Sequence, residues 1–332
     1  MASKVVSDEI ILSTKGLQQW FRAKQKPFSK KPEYIKAVSD VSLSLRRGET
    51  LGIVGESGCG KTTLGRTIMR LIEPTAGEIF FENQSFTKLT ERELRAKRRD
   101  MQIIFQDPFA SLDPRMTIAD IIGEPLDVQK ACKTRAERND RINAILETVG
   151  IDPSYALRYA HEFSGGQRQR LGIARAIAIT PKVIICDEPL SALDVSIQAQ
   201  IINLLEEIQE RSQISYFFIS HDLSVVKYFS NRVAVMYLGR IVELAPNHLL
   251  YSNALHPYTQ ALLSAIPIPD PMLRGKRKRI VLEGDIPSPL NLPSGCCFHT
   301  RCWKAQSICA QQVPQLCAVD GEHMCACHFP GK

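Results

Sequence analysis

The chain has 332 residues, 44% of them hydrophobic, which is enough to bury one large core and a smaller one and excludes a disordered or low-complexity protein. A formal charge of +7 suits work beside phosphates or an anionic membrane face without demanding nucleic acid. No window approaches the roughly 18 consecutive apolar residues of a membrane span, and Asp8 and Glu9 interrupt any apolar leader, so the chain is expected to be soluble and to reach a membrane only through a partner.

In chain order, 8–21 reads as a strand running into the aromatic pair Trp20-Phe21, and the basic, proline-containing 22–34 as an exposed loop. Val38 to Leu45 alternates apolar and polar side chains, which predicts a half-buried antiparallel strand. A turn over Arg46-Arg47-Gly48-Glu49 leads to Thr50-Leu51-Gly52-Ile53-Val54, short and apolar enough for a buried parallel strand. Gly55-Glu56-Ser57-Gly58-Cys59-Gly60-Lys61-Thr62 follows, then a helix predicted from Thr63 to Glu73 and stopped by Pro74. Strand, glycine loop and helix are the setting in which this spacing holds phosphate. The glycines let backbone N–H groups turn inward, and the helix start adds partial positive charge. Lys61 can reach the β- and γ-phosphates, the Thr62 hydroxyl can ligate Mg²⁺, and Thr63 is counted with the nucleotide contacts.

Further on, Glu78 to Glu82 predicts a strand, Glu91 to Asp100 a charged helix, and Met101 to Phe105 a strand ending at Gln106-Asp107-Pro108. From 109 to 162 the pattern is helical, with Pro114, Pro125 and Gly150 as punctuation. Phe163-Ser164-Gly165-Gly166-Gln167 precedes the amphipathic run Arg168 to Ile179, a second helix start able to offer N–H groups to an anion. Val183-Ile184-Ile185-Cys186 reads as a buried strand tipped by Asp187 and Glu188. Asp187 is placed to hold Mg²⁺, and Glu188 to polarise a water; a solvated acidic turn is the plain alternative. Gln198 to Arg211 predicts an amphipathic helix, and Tyr216 to Ile219 a strand leading to His221. Val233 to Tyr237 and Arg240 to Glu243 predict a hairpin around Leu238-Gly239.

The composition changes near 246, where prolines begin to recur at 257, 267, 269, 271, 287, 289 and 293. A boundary is expected there, between a nucleotide domain over 1–245 and a loop-rich tail over 246–332 that is too proline-dense for a sheet. The basic run Arg274, Lys276, Arg277, Lys278 and Arg279 reads as a solvated linker face. Seven of the ten cysteines fall between Cys296 and Cys327, and such crowding in a chain expected to be cytosolic points to metal rather than disulfides.

These stretches, in this order, resemble an ATP-binding cassette ATPase. The resemblance implies an α/β fold: a P-loop NTPase core with a parallel sheet, an antiparallel β subdomain and a helical subdomain at about 107–168, followed by a small Cys/Pro-rich extension. It implies ATP on Gly55 to Thr63, with Phe21 stacked on adenine and Trp20 as its rival. Gln106 resembles the glutamine loop, sharing Mg²⁺ with Thr62 and Asp187. Ser164, Gly165, Gly166 and Gln167 resemble the signature that reaches the ATP of an opposite cassette, with Phe163 where leucine is commonest. Ser191-Ala192-Leu193-Asp194 resembles the loop that touches that cassette, and His221 the switch histidine at the γ-phosphate. Hydrolysis would then rest on Glu188 activating water, His221 holding it and Lys61 neutralising charge.

The tail resembles the C-terminal extension of the ATPase subunits of oligopeptide and dipeptide importers. His256-Pro257-Tyr258-Thr259-Gln260-Ala261-Leu262-Leu263, Ile266-Pro267-Ile268-Pro269-Asp270-Pro271, Gly284-Asp285-Ile286-Pro287-Ser288-Pro289 and Gly295-Cys296 to Cys302 carry the likeness. The resemblance implies a second, different ATPase subunit, two membrane permease subunits, indirectly a periplasmic or lipidated peptide-binding protein, and no nucleic acid. The place implied is peripheral, on the cytoplasmic face of the inner membrane. Rival readings are another cargo such as nickel or a glycopeptide, a soluble cassette acting on DNA or ribosomes, and a redox- or iron-sensing tail. Cys296, Cys302, Cys309 and Cys327 match the importer tail's cysteines, which implies a [4Fe–4S] cluster, with Zn²⁺ as the alternative and a set of free thiols as the plain reading. Cys297, Cys317 and Cys325 are spare, Cys325 could replace Cys327, and His299, His323 and His328 are possible substitutes.

Overall fold

A computed structural model describes residues 6–23, 32–107, 111–266 and 279–331. In chain order its strands are β1 (Ile10–Arg22), β2 (Tyr34–Arg46), β3 (Thr50–Val54), β4 (Ala76–Phe81), β5 (Gln84–Ser85) and β6 (Met101–Ile104). They continue with β7 (Val183–Asp187), β8 (Ser215–Ile219), β9 (Arg232–Tyr237), β10 (Arg240–Pro246), β11 (Cys317–Asp320) and β12 (His323–Cys325). Contacts among the described residues divide the chain between two units. One takes Met1–Ile11, Leu45–Glu49 and Lys88–Ile219; the other takes Leu12–Ser44, Thr50–Thr87 and Ser220–Lys332.

The first unit holds three parallel strands, β6 beside β7 beside β8, with Ile103 opposite Ile185 and Ile185 opposite Phe217. Every residue of β7 and β8 is buried, which is why these runs read as continuously apolar rather than alternating. Helices Glu91–Lys97, Ile118–Val128, Arg135–Thr148, Gly165–Ile177 and Val195–Ser212 belong to the same unit. Pro125 lies inside helix Ile118–Val128 instead of ending it. The burial of Ile118, Ile121, Ile122 and Leu126 outweighs the backbone hydrogen bond that a proline forfeits. Gly150 does punctuate, at φ +70 after helix Arg135–Thr148.

In the second unit β3 runs parallel to β9, with Ile53 opposite Ala234. The hairpin of β9 and β10 turns through Leu238 at φ +43 and Gly239 at φ +81, two successive left-handed residues that fit the right-handed twist of the paired strands. A separate antiparallel sheet pairs β1 with β4, Leu12 opposite Phe81, and β4 with β5. Helix Lys61–Ile68 is shorter than the predicted Thr63 to Glu73. Arg70 turns left-handed at φ +48, and the Leu71 N–H folds back onto the Arg66 carbonyl at 2.9 Å.

The tail does build sheet: β12 pairs antiparallel with β10, Glu243 opposite Cys325, and β11 with β12. The prolines had argued against that, but none falls between Pro314 and Pro330, and β11 and β12 occupy that stretch. The predicted Ile266-Pro267 to Pro271 segment and the basic run through Lys278 lie outside the described residues, save for Ile266.

Candidate active site

In the second unit, β3 delivers the chain into the glycine loop. Gly55 at φ +154 and Gly60 at φ +107 are places where a side chain would collide with the Met236 and Ala37 carbonyls respectively. Gly58 at φ +77 faces open space, and Ser57 and Gly58 are the loop's exposed tip. Lys61 is only 4% exposed, and its Nζ donates to the Gly55 carbonyl at 2.9 Å and the Glu56 carbonyl at 3.1 Å. The cation is therefore folded back onto the carbonyls of its own loop. Cys59 points inward, and burial raises its thiol pKa. Thr62 and Thr63 are half-buried in the first turn of helix Lys61–Ile68. His221 is exposed, just ahead of helix Leu223–Phe229, which Asp222 caps through the Ser224 N–H at 2.7 Å. Phe21 is 36% exposed at the end of β1. Its rival Trp20 is engaged, with Tyr34 at 6.4 Å between ring centroids and the Lys36 ammonium 5.1 Å above its ring.

Residues of the tail finish this loop. The Glu56 N–H donates to the Tyr258 hydroxyl at 2.8 Å, and the Glu56 carboxylate takes both terminal nitrogens of Arg301, at 2.9 and 3.3 Å. Tyr258 is wholly buried, its ring tilted against those of Tyr237 and Phe298 at centroid distances of 4.7 and 5.4 Å, and burial raises its phenol pKa so that it stays protonated. Burial alone would lower the pKa of Arg301, but pairing with Glu56 raises it above the ordinary value. The Gly239 N–H donates to the Cys59 carbonyl at 2.8 Å, so the β9–β10 turn is also a wall of the loop. Sequence reading identified the His256-Pro257-Tyr258 helix start but gave neither Tyr258 nor Arg301 a role at the loop. A lone arginine among cysteines gives no local signal of a partner on the other side of the chain.

Beneath them Glu243, fully buried in β10, accepts the N–H groups of Leu255 at 2.7 Å and His256 at 2.9 Å, and lies 2.7 Å from Nε2 of His323. One carboxylate thus fixes the start of helix Pro257–Ser264 and strand β12 together.

In the first unit, Asp187 closes β7 at 1% exposure and Glu188 follows in a left-handed conformation, φ +47. Such a conformation in a residue with a Cβ stores strain that surrounding bonds must hold. The Glu188 N–H donates to the Ile219 carbonyl at 3.0 Å, and its own carbonyl accepts the Ser191 hydroxyl at 3.0 Å. Its side chain is met by Gln106, whose Nε2 donates to Oε2 at 3.2 Å. Gln106 and Glu188, predicted from stretches far apart in sequence, are thereby brought together.

Ser164 caps helix Gly165–Ile177, accepting the Gln167 N–H at 3.3 Å while Gln167 returns its side-chain oxygen to the Ser164 N–H at 3.0 Å. Phe163, the departure from leucine, is buried edge-on to Tyr155 at 6.0 Å. Asp194 caps helix Val195–Ser212 through the Ile197 N–H at 2.9 Å. A Cβ on Gly166 would lie 2.7 Å from the Ile197 side chain and one on Gly165 3.9 Å from that of Leu193, so the start of helix Gly165–Ile177 packs against the start of helix Val195–Ser212 and the loop before it.

Cys296, Cys302, Cys309 and Cys327 line one small cavity, with His299 and His328 at its wall. Burial raises the pKa of Cys296 to about 11, and raises those of Cys302 and Cys327. The spare cysteines are elsewhere: Cys317 is exposed, Cys325 is buried in β12 opposite Glu243, and Cys297 lines a different cavity with Arg240. His323 is engaged by Glu243. Among the described residues, no group of three or more His, Cys, Asp or Glu side chains is placed to hold a metal ion, so the expected metal site of the tail is not supported. No helix among the described residues is long and apolar enough to cross a membrane.

Family profiles match two stretches of the chain. One, described as "ABC transporter", covers 38–191, and another, "Oligopeptide/dipeptide transporter, C-terminal region", covers 242–309. The chain is 54% identical over 324 residues to the oligopeptide transport ATP-binding protein AppF of Bacillus subtilis, covering 97% of this chain and 98% of that protein. It is 50% identical over 321 residues to the oligopeptide transport ATP-binding protein OppF of Haemophilus influenzae, covering 96% and 97%. Among solved structures, the dimeric ATP-binding cassette MJ0796 bound to ADP and Pi in a post-hydrolysis state matches with a TM-score of 0.63 and 28% identity, over 71% of this chain and 98% of that one.

Proposed function

Because the chain belongs to the ATP-binding cassette ATPases of the oligopeptide and dipeptide transporters, we propose that it hydrolyses ATP to power import of oligopeptides across the inner membrane. The observation that carries the reading is the hydrogen bond from Gln106 to Glu188. It ties the carboxylate suited to activating water to the residue that opens the helical segment, the part expected to meet a membrane partner. In this reading Lys61 neutralises the β- and γ-phosphates, Glu188 takes the proton of the attacking water and His221 orients it. Thr62, Gln106 and Asp187 offer oxygen donors, the chemistry that suits Mg²⁺, which supplies charge neutralisation at the phosphates when bound. Phe21, left exposed where Trp20 is occupied, serves the adenine ring.

Ser164 to Gln167 and Ser191 to Asp194 face a second, different cassette in this proposal, so that each ATP is held by two chains. Two permease subunits and a peptide-binding protein complete the assembly, with this chain peripheral on the cytoplasmic side. Residues 1–245 serve as the nucleotide domain and 246–332 as the extension. For the cysteine cavity we propose a [4Fe–4S] cluster over Zn²⁺. Four thiols around one cavity supply its donor set, and their spacing is wider than the tight pairs usual for structural zinc.

Glu188→Gln in the assembled transporter tests the reading. Turnover should fall about 10²- to 10⁴-fold with ATP binding retained. Near-normal turnover would refute the assignment, as would an isolated chain at high dilution that hydrolyses ATP as fast as the assembly.

A further inference from the structure

Glu56 is the only acidic side chain in the loop from Gly55 to Thr62. A loop that holds a polyphosphate gains nothing from a carboxylate, since like charges repel. Yet this carboxylate is held with care. Its residue is fixed at three points: its N–H by Tyr258, its carbonyl by Lys61 and its side chain by both terminal nitrogens of Arg301. The pair is no surface salt bridge, because the Arg301 side chain is 7% exposed and that of Glu56 24%. Solvent therefore screens it weakly, and a two-pronged guanidinium grip is strong as well as directional.

Arg301 itself stands on the cysteine turn. It ends the short 3₁₀ turn His299–Arg301, with its N–H donating to the Phe298 carbonyl at 3.0 Å. Cys302 follows directly and Cys296 precedes, the latter donating its N–H to the Cys309 carbonyl at 2.8 Å. Three of the four thiols lining the cavity thus flank or brace the turn that aims the guanidinium.

We propose that Arg301 is a positioning residue of the nucleotide loop, neutralising Glu56 so that the loop accepts a polyphosphate, and that the cysteine-bearing turn sets nucleotide affinity through it. The proposal rests on the reading of Gly55 to Thr62 as the ATP loop.

The test is equilibrium binding of Mg·ATP and of uncharged adenosine to the full chain, in R301Q, R301K, E56Q, C302S and the double variants R301Q/E56Q and R301Q/C302S. R301Q should weaken Mg·ATP about tenfold while leaving adenosine unmoved, as expected for one uncompensated charge near the phosphates. R301K should retain most of the affinity. E56Q should bind Mg·ATP more tightly than the native chain, and R301Q/E56Q should recover what R301Q loses. C302S should weaken Mg·ATP, but not further in the R301Q background. In the assembled transporter R301Q should raise KM for ATP and spare kcat. Native affinity in R301Q would overturn the proposal, and so would a double variant as weak as R301Q, which would mean packing rather than charge. Should R301Q not fold, E56Q decides: weaker binding than the native chain is then the refuting result. Native Mg·ATP affinity in K61A would instead sink the underlying assignment of the loop.

Discussion

Glu243→Ala removes the acceptor shared by the Leu255 and His256 N–H groups and His323. All three donors are buried with it, and the alanine leaves no oxygen to replace the carboxylate. Each buried donor left without a partner costs about 1–3 kcal/mol. Some water will enter the space, so the total should be about 3–6 kcal/mol rather than the full sum. That is a large share of the stability of an ordinary domain, about 5–15 kcal/mol. Glu243→Gln keeps the volume and one carbonyl oxygen, and should cost about 1.5–3 kcal/mol. Urea unfolding followed by circular dichroism measures the loss, and limited trypsin digestion locates it. Cleavage should appear first in 247–331, because helix Pro257–Ser264 and strand β12 are both anchored on this carboxylate. An alanine variant within about 1 kcal/mol of the native chain, with the tail still protected, would refute the clasp.

Burial holds the His256 pKa down to about 4 from the ordinary 6.5, so the folded chain keeps a neutral ring that accepts the Tyr258 N–H. The stability this lends is present above pH 6.5 and is lost as pH falls from there through about 4; urea midpoints across that window should show the slope, and His256→Asn should flatten it. Gly60→Ala, driven against the Ala37 carbonyl, should abolish ATP binding in titration, whereas Gly58→Ala, with open space around it, should cost only about 1–2 kcal/mol for its left-handed backbone. Anaerobically purified protein should be brown, with about four irons per chain. Cys302→Ser should lose the iron and expose the tail to protease, while colourless protein with stoichiometric zinc would refute the cluster.

What the sequence made legible was local. Val183 to Glu188 declared a buried strand and the place of its two carboxylates, because apolar residues must continue to the strand's tip and the charges can only begin there. The turn at Leu238-Gly239 was equally readable from a glycine between two apolar runs. Failures came where distant packing overrides local preference. Nothing in Thr63 to Glu73 signals that Arg70 turns left-handed, and nothing around Pro125 signals how deeply Ile121 and Leu126 are buried. The tail strands were missed because β12 is specified by its match to β10, 80 residues earlier between Glu243 and His323. The loop's outer supports, Tyr258 and Arg301, are likewise contacts of long separation that no periodicity records.

The separation of Glu56 from Arg301 also orders events in time. The two residues are 245 positions apart in the chain. A ribosome adding 5–20 residues per second takes about 12–50 s to travel from one to the other. For most of that interval the nascent chain carries its phosphate loop without Tyr258, which comes 202 positions after Glu56, and for all of it without Arg301. The loop is therefore written long before it is completed. A chain truncated before the tail would release a cassette with an unbraced nucleotide loop, so the finished loop doubles as a mark that synthesis has reached the extension.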